Sequence, residues 1–178
     1  MQVRTLTDLD REWAAALVTQ HFGSPVIVSR GICHHARILP GLVIQDEGAR
    51  LGLLQYRIVG MRCEVVVLIA LRQRQGLGRR MLSELSTVAR AQGCRCLWLI
   101  TTNDNRAAQR FYIALGWREI AIHRGAVTEA RKLKPEIPEH GQDGIPIVDE
   151  IEYEFSLDEA GPRVAPPLSA VGEDRRLP

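Results

Sequence analysis

Between Leu68 and Leu82 the chain reads LIALRQRQGLGRRML, and no other stretch narrows the choice of fold as much. An apolar run ends, a loop rich in Arg and Gln follows, and an amphipathic helix begins. The loop is Gln73-Arg74-Gln75-Gly76-Leu77-Gly78. Glycines at alternate positions remove side chains that would hold a ligand away from the backbone. The first N–H groups of a helix have no intrahelical partner, and the helix dipole adds partial positive charge there. A strand, loop and helix of this kind form an anion site, most often for phosphate. Arg72, Arg74, Arg79 and Arg80 place fixed positive charge around it.

Two phosphate-binding patterns are excluded. A P-loop needs Gly-Lys-Ser/Thr, whereas Gly78 is followed by Arg79-Arg80. The dinucleotide fingerprint needs three glycines at G-x-G-x-x-G, and only the first two are present. What remains, Q-x-x-G-x-G between a strand and a helix, resembles the acyl-CoA pyrophosphate loop of the GNAT N-acetyltransferase superfamily.

The flanking sequence predicts the sheet that carries this loop. Leu42-Val43-Ile44 and Leu51–Val59 flank the turn Asp46-Glu47-Gly48 and read as a hairpin. Cys63–Ala70 is a nearly all-apolar strand, covered on both faces. After the loop, Met81, Leu82, Leu85, Val88 and Ala89 recur at helix spacing as far as Gly93. Cys96–Thr101 is a second buried strand. Strand, helix and strand imply a right-handed crossover and parallel pairing. Glu64 interrupts the first apolar strand and has two readings. It is either a solvated residue beside the turn, or a general base whose raised pKa suits proton removal from an ammonium. Strand alternation predicts residues 64, 66 and 68 on one face.

A second segment, Asn105 to Trp117, matches N-x-x-A-x-x-F-Y-x-x-x-G-F/W of the same superfamily. Asn105, Ala108 and Tyr112 share one helical face. A tyrosine beside Phe111 is commonly core with its hydroxyl at the rim. The resemblance covers about residues 3–155 and is strongest over 64–117. It implies an α/β (α+β) fold: a mixed, mostly antiparallel twisted sheet with a parallel splayed pair and flanking helices. It also implies acetyl-CoA as cosubstrate and transfer of acetyl to a primary amine of a small molecule or peptide, directly in a ternary complex. Leu68, Ile69 and Ala70 would pair with the pantetheine arm like an added strand. Gln73, Arg74, Gln75, Gly76, Leu77, Gly78 and Arg79 would hold the pyrophosphate, with Asn105 and Tyr112 also beside the cosubstrate. Glu64 would deprotonate the amine and Tyr112 would protonate the leaving thiolate. A sensor or scaffold that binds acyl-CoA without chemistry is the rival reading; it needs neither Glu64 nor Tyr112.

The remaining chain is less specific. Val3–Leu6 reads as a strand, and Leu9–His21 as a helix capped by Thr7 or Asp8, with Trp13, Leu17 and Val18 inward. Val26-Ile27-Val28 is extended, and Ser29–Arg37 reads as irregular. Trp117–His123 is a strand, Ala126–Lys134 a helix and Pro135–Pro146 a loop. Ile151, Tyr153 and Phe155 alternate with Glu150, Glu152 and Glu154, which predicts a strand with one wet face. Ser29–Arg37 and the segment before Ile151 are expected to build the acceptor site, with Glu136, Glu139 or Asp143 as acidic groups. Residues 1–158 are expected to form one domain and 159–178 a mobile tail. A net charge of +2 gives no argument for nucleic acid or a membrane surface. No signal-peptide core opens the chain, so a cytoplasmic location is expected. Cys33-His34-His35 has no partner cluster, so no metal is expected. Edge-strand pairing makes a homodimer one expected assembly.

Overall fold

Apolar residues alternate along the central strands and so place a core on each face of one sheet. The computed structural model describes residues 1–141 and 143–158; the expected tail lies outside the described residues. The strands of this sheet are β1 (Gln2–Thr5), β4 (Gly41–Asp46), β5 (Ala49–Val59), β6 (Arg62–Ala70), β7 (Cys96–Thr102), β8 (Arg118–His123) and β9 (Glu150–Ser156). Their order is β1-β4-β5-β6-β7-β9-β8, and every pairing is antiparallel except β6 with β7. The expected mixed sheet with one parallel pair is the observed architecture.

One face is covered by α2 (Leu77–Ala91) and α3 (Arg106–Ala114). Leu77, Met81, Leu82, Leu85 and Ala89 of α2 join Leu42, Ile44, Leu54, Cys63, Val65, Leu97 and Leu99 in this layer. The other face is covered by α1 (Arg11–Phe22), whose Ala14, Ala15, Leu17 and Val18 pack on Val43, Leu53, Val67 and Ile69. The helix starts later than its apolar spacing suggested. A 3-10 turn over Asp8–Asp10 precedes it, because the Thr7 backbone and hydroxyl both donate to the Asp10 carboxylate. Trp13 is only half-buried, and the alanines take the closest contact.

A second correction concerns residues 29–37, read as irregular. They belong to a separate hairpin, β2 (Val26–Ser29) with β3 (Ile32–His35). Its turn residues Arg30 and Gly31 both have positive φ, 50° and 73°, the two-residue turn whose twist suits a hairpin. Strand alternation then separates the Cys33-His34-His35 triplet: His34 is buried and Cys33 is exposed. Between β8 and β9 lies α4 (Ala126–Leu133), whose following Lys134 donates from Nζ to the Val26 carbonyl at 2.6 Å and so fastens the hairpin.

A bulge corrects the expected facing of β6. Gln55 pairs with Val67 and the next residue, Tyr56, with Val65, so Val66 is an extra residue in the ladder. Cys63, Val65 and Leu68 therefore pack on the α2 side, while Val66, Val67 and Ile69 pack on the α1 side. Glu64 shares the hairpin side with Val66, but Leu68 does not.

Candidate active site

The loop is held at both ends. Leu71 N–H donates to the Leu51 carbonyl at 2.9 Å, which extends the sheet one residue past Ala70. Residues 71–76 are exposed, and Leu77 is buried in the core at the start of α2. Gly76 caps that helix with φ of 71°, and its carbonyl accepts from Arg80 N–H at 3.0 Å. The N–H groups of Leu77, Gly78 and Arg79 lie in the first turn and have no helical carbonyl within reach. Arg74 also has a positive φ, 60°. Gly76 has nothing within 4 Å of a built Cβ, so its requirement for glycine is conformational. Gly78 differs: a Cβ there would meet the Phe111 ring at 3.0 Å, so this glycine seats α2 against α3. Of the four arginines expected around the loop, Arg80 is turned away; its Nη2 donates to the Met1 carbonyl at 3.0 Å.

Beside the loop the sheet opens. Parallel pairing of β6 with β7 is confined to Arg62–Cys96, Cys63–Leu97 and Glu64–Trp98. Beyond Glu64, the residues Val65–Ala70, including Leu68, Ile69 and Ala70, keep β5 on one edge only. The other edge presents unpaired backbone to a notch, a geometry that accepts an extended ligand. At the far side of the notch, Asn105 caps α3, its Oδ1 accepting from Ala108 N–H at 3.1 Å. Tyr112 is buried on the α2 side, with ring centres 5.2 Å from Phe111, 5.4 Å from Trp117 and 6.2 Å from Tyr153. Burial pushes its phenol well above the ordinary value, so it stays protonated as a potential donor.

Glu64 stands at the closed end of the notch, on the opposite face from Tyr112. It is 3% exposed and is not the solvated edge residue of the first reading. Ser29 Oγ donates to its Oε1 at 2.6 Å, and His34 Nε2 lies 3.8 Å from its Oε2. Burial raises the Glu64 carboxyl above its ordinary value, while the Ser29 hydroxyl and the Arg57 charge oppose the rise and Glu150 and Glu152 add to it. Burial, then the charge of Arg57, lowers His34 below its ordinary value and keeps the ring neutral. A carboxylate whose pKa is raised in this way is a stronger proton acceptor than an ordinary surface glutamate.

The two segments expected to build an acceptor site are only partly brought to Glu64. Ser29, Arg30 and His34 do come from the expected segment, and Glu150 from the other. Glu150 and Glu152 are buried, not wet as the alternation in β9 suggested, because β9 lies between β7 and β8 and polar partners close over it. Arg30 reaches Glu150 at 3.4 Å, and Glu152 takes Arg62 at 3.0 Å and His123 at 2.9 Å. Burial works against the Glu152 charge, but His123 and Arg62 outweigh it and leave its carboxyl below the ordinary value. Glu136, Glu139 and Asp143 are exposed on the loop after α4, and no described contact brings them to Glu64. Arg57, Arg62 and Trp98 were missed. The available signal was register: Arg57 stands directly opposite Glu64 in β5, and Trp98 opposite it in β7.

A mostly antiparallel sheet opened at one parallel pair, with a glycine-capped helix at the opening, defines the GNAT acetyltransferase class. The chain belongs to that family: the profile of the Acetyltransferase (GNAT) family matches residues 8–117. Among curated relatives, the uncharacterized protein YdhI of Bacillus subtilis strain 168 is 35% identical over 140 residues, 78% of this chain and 88% of its own. An IAA acetyltransferase from Bacillus cereus has a similar fold, with TM-score 0.67 and 16% identity, over 87% of this chain and 98% of the other. A GNAT family acetyltransferase from Elizabethkingia anophelis with acetyl-CoA bound matches with TM-score 0.63 and 14% identity, over 87% of this chain and 97% of the other. Among the described residues no helix is long and apolar enough to cross a membrane.

Proposed function

We propose that this protein transfers an acetyl group from acetyl-CoA to the primary amine of a small molecule or peptide, in a ternary complex. The observation that carries the reading is the notch, with first-turn amides at its mouth and Glu64 at its closed end. Amides from Arg74 to Arg79 hold the pyrophosphate, assisted by Gln73, Arg74 and Gln75 side chains. The open edge at Leu68, Ile69 and Ala70 pairs with the pantetheine arm, and the Asn105 amide nitrogen borders it. The thioester then lies where the two strands part, between Glu64 on one face and Tyr112 on the other.

The acceptor ammonium gives a proton to Glu64, directly or through one water. The free amine attacks the thioester carbonyl, and a backbone N–H on the open edge of β6 stabilises the oxyanion. The carbon–sulfur bond breaks, the attacking nitrogen gives up its second proton to solvent, and Tyr112 gives its proton to the CoA thiolate and regains one from solvent. The products are the N-acetyl amide and CoA, with one proton released. Alignment of amine and thioester supplies much of the rate.

The test is at the loop. Gly76→Val forces a β-branched residue to positive φ, so acetyl-CoA binding by calorimetry should be lost. Unchanged affinity removes the loop from the cosubstrate site. Acetyl-CoA turnover against amines, amino acids, peptides and aminoglycosides then tests the reaction. Slow thioester hydrolysis with no acceptor in that panel favours a sensor.

A further inference from the structure

Beneath the β2–β3 hairpin lies a cavity of about 240 Å³, lined by Ile32, Arg57, Val59, Arg62, Glu64 and Trp98. It is smaller than the pockets that hold drug-sized ligands, roughly 300 Å³ and upward, and suits something the size of an amino acid. The charges in it are unevenly satisfied. Arg62 is spoken for: it bonds Glu152 at 3.0 Å and Glu154 at 3.1 Å, and its guanidinium lies 5.0 Å from the Trp98 ring centre.

Arg57 and Glu64 are cross-strand partners in register, close enough for an ion pair. Yet none forms between them, and among the described residues Arg57 has no hydrogen bond or ion pair with any side chain. Glu64 is turned instead to Ser29 and His34. The structure thus holds a half-buried cation and a buried carboxylate on one cavity wall, facing without touching. A further polar atom is also unused. His34 Nε2 is buried without a hydrogen-bond partner, 3.8 Å from the free Glu64 Oε2. His34 does not line the cavity, so it backs Glu64 from behind while Glu64 itself faces the cavity.

We infer that the acceptor is a free α-amino acid, its ammonium at Glu64 and its carboxylate on Arg57. The short separation of the two charges in an α-amino acid matches neighbouring positions on adjacent strands. Arg57 can take a carboxylate through two parallel N–H donors. Ile32, Val59 and the Trp98 ring are left for an apolar side chain. In the reaction the α-amine gains the acetyl group, and the carboxylate stays intact and only orients it. This inference rests on the transferase reading and narrows its acceptor.

The test uses the full chain at saturating acetyl-CoA and measures free thiol released with each of the twenty L-amino acids and its α-carboxamide. At least one amino acid should turn over, with kcat/KM about 100-fold or more above that of its amide, because a site built for a polar group rejects the analogue without it. Arg57→Gln should raise KM for the acid more than it lowers kcat, and bring the ratio of acid to amide towards one. Amides that serve as well as acids, a ratio that Arg57→Gln leaves intact, or turnover confined to amines without a carboxylate each overturn the inference. Calorimetry separates the two levels. Acetyl-CoA binding with turnover of other amines sinks only the amino-acid acceptor, whereas no acetyl-CoA binding sinks the transferase reading with it.

Discussion

The two sides of the opening in the sheet are built in different ways. On the α2 side the groups lie close in sequence: residues 70–79 make a loop and a helix start from consecutive backbone. On the hairpin side they come from distant places. Ser29 and Glu64 meet across 35 positions and Arg30 and Glu150 across 120. A site made of backbone needs only a few side-chain identities, glycine above all. A site made of side chains depends on the whole fold for its geometry. On the proposed transferase reading, cosubstrate binding is tied to a short motif and acceptor choice to long-range packing.

That contrast predicts a crossed pattern of damage. Changes on the hairpin side should spare acetyl-CoA affinity, and changes at the loop should destroy it. The largest effect on the hairpin side is Glu64→Gln, which should lower kcat by about 10²- to 10⁴-fold, the usual worth of a general base. Acetyl-CoA affinity by calorimetry should stay within about twofold. Because the folded carboxyl is raised, its contribution to stability is complete below the unfolded value and declines as pH rises through the folded one. The Glu64→Gln melting temperature at neutral pH should therefore not fall, and a large drop would mean that the charge is structural.

Tyr112→Phe comes next. It removes one oxygen from a core position and should lower turnover by about 10- to 100-fold, with binding little changed. Unaltered turnover would leave the phenol as packing between Trp117 and Tyr153. The smallest effect tunes the base. The acid limb of kcat/KM should lie above the ordinary glutamate value of about 4.3, since burial and the neighbouring Glu150 and Glu152 outweigh Ser29 and Arg57. Ser29→Ala deletes a bond that favours the charged form, so the limb should move further up. On the acid limb the rate should fall below the parent's, and on the plateau at higher pH it should match the parent. A limb displaced downward would contradict the assignment of Ser29.

The sheet and the α2 side were legible in the residues for a physical reason. Period-2 and period-3.6 apolar patterns, glycine turns and the Asn105 cap are local signals, and the strands and helices they mark are where expected. The hairpin was not legible because Arg30-Gly31 lacks the Asn-Gly or Asp-Gly signature of its turn. The bulge at Val66 left no mark in an unbroken run of valines and so inverted the expected facing of Leu68. Glu150 and Glu152 alternate with apolar neighbours as a solvated edge would. Only the strand order, which puts β9 between β7 and β8, shows that they are interior.

The hairpin is not part of the main sheet's ladder. It hangs over Glu64 from α1 and is fastened by side-chain bonds from Ser29, Arg30 and Lys134. Such a flap can change its residues without breaking a single rung of the main sheet. On the proposed reading, sequence drift in those ten positions would redirect which molecule is acetylated while leaving the donor machinery untouched, so related chains could share an engine and differ in their cargo.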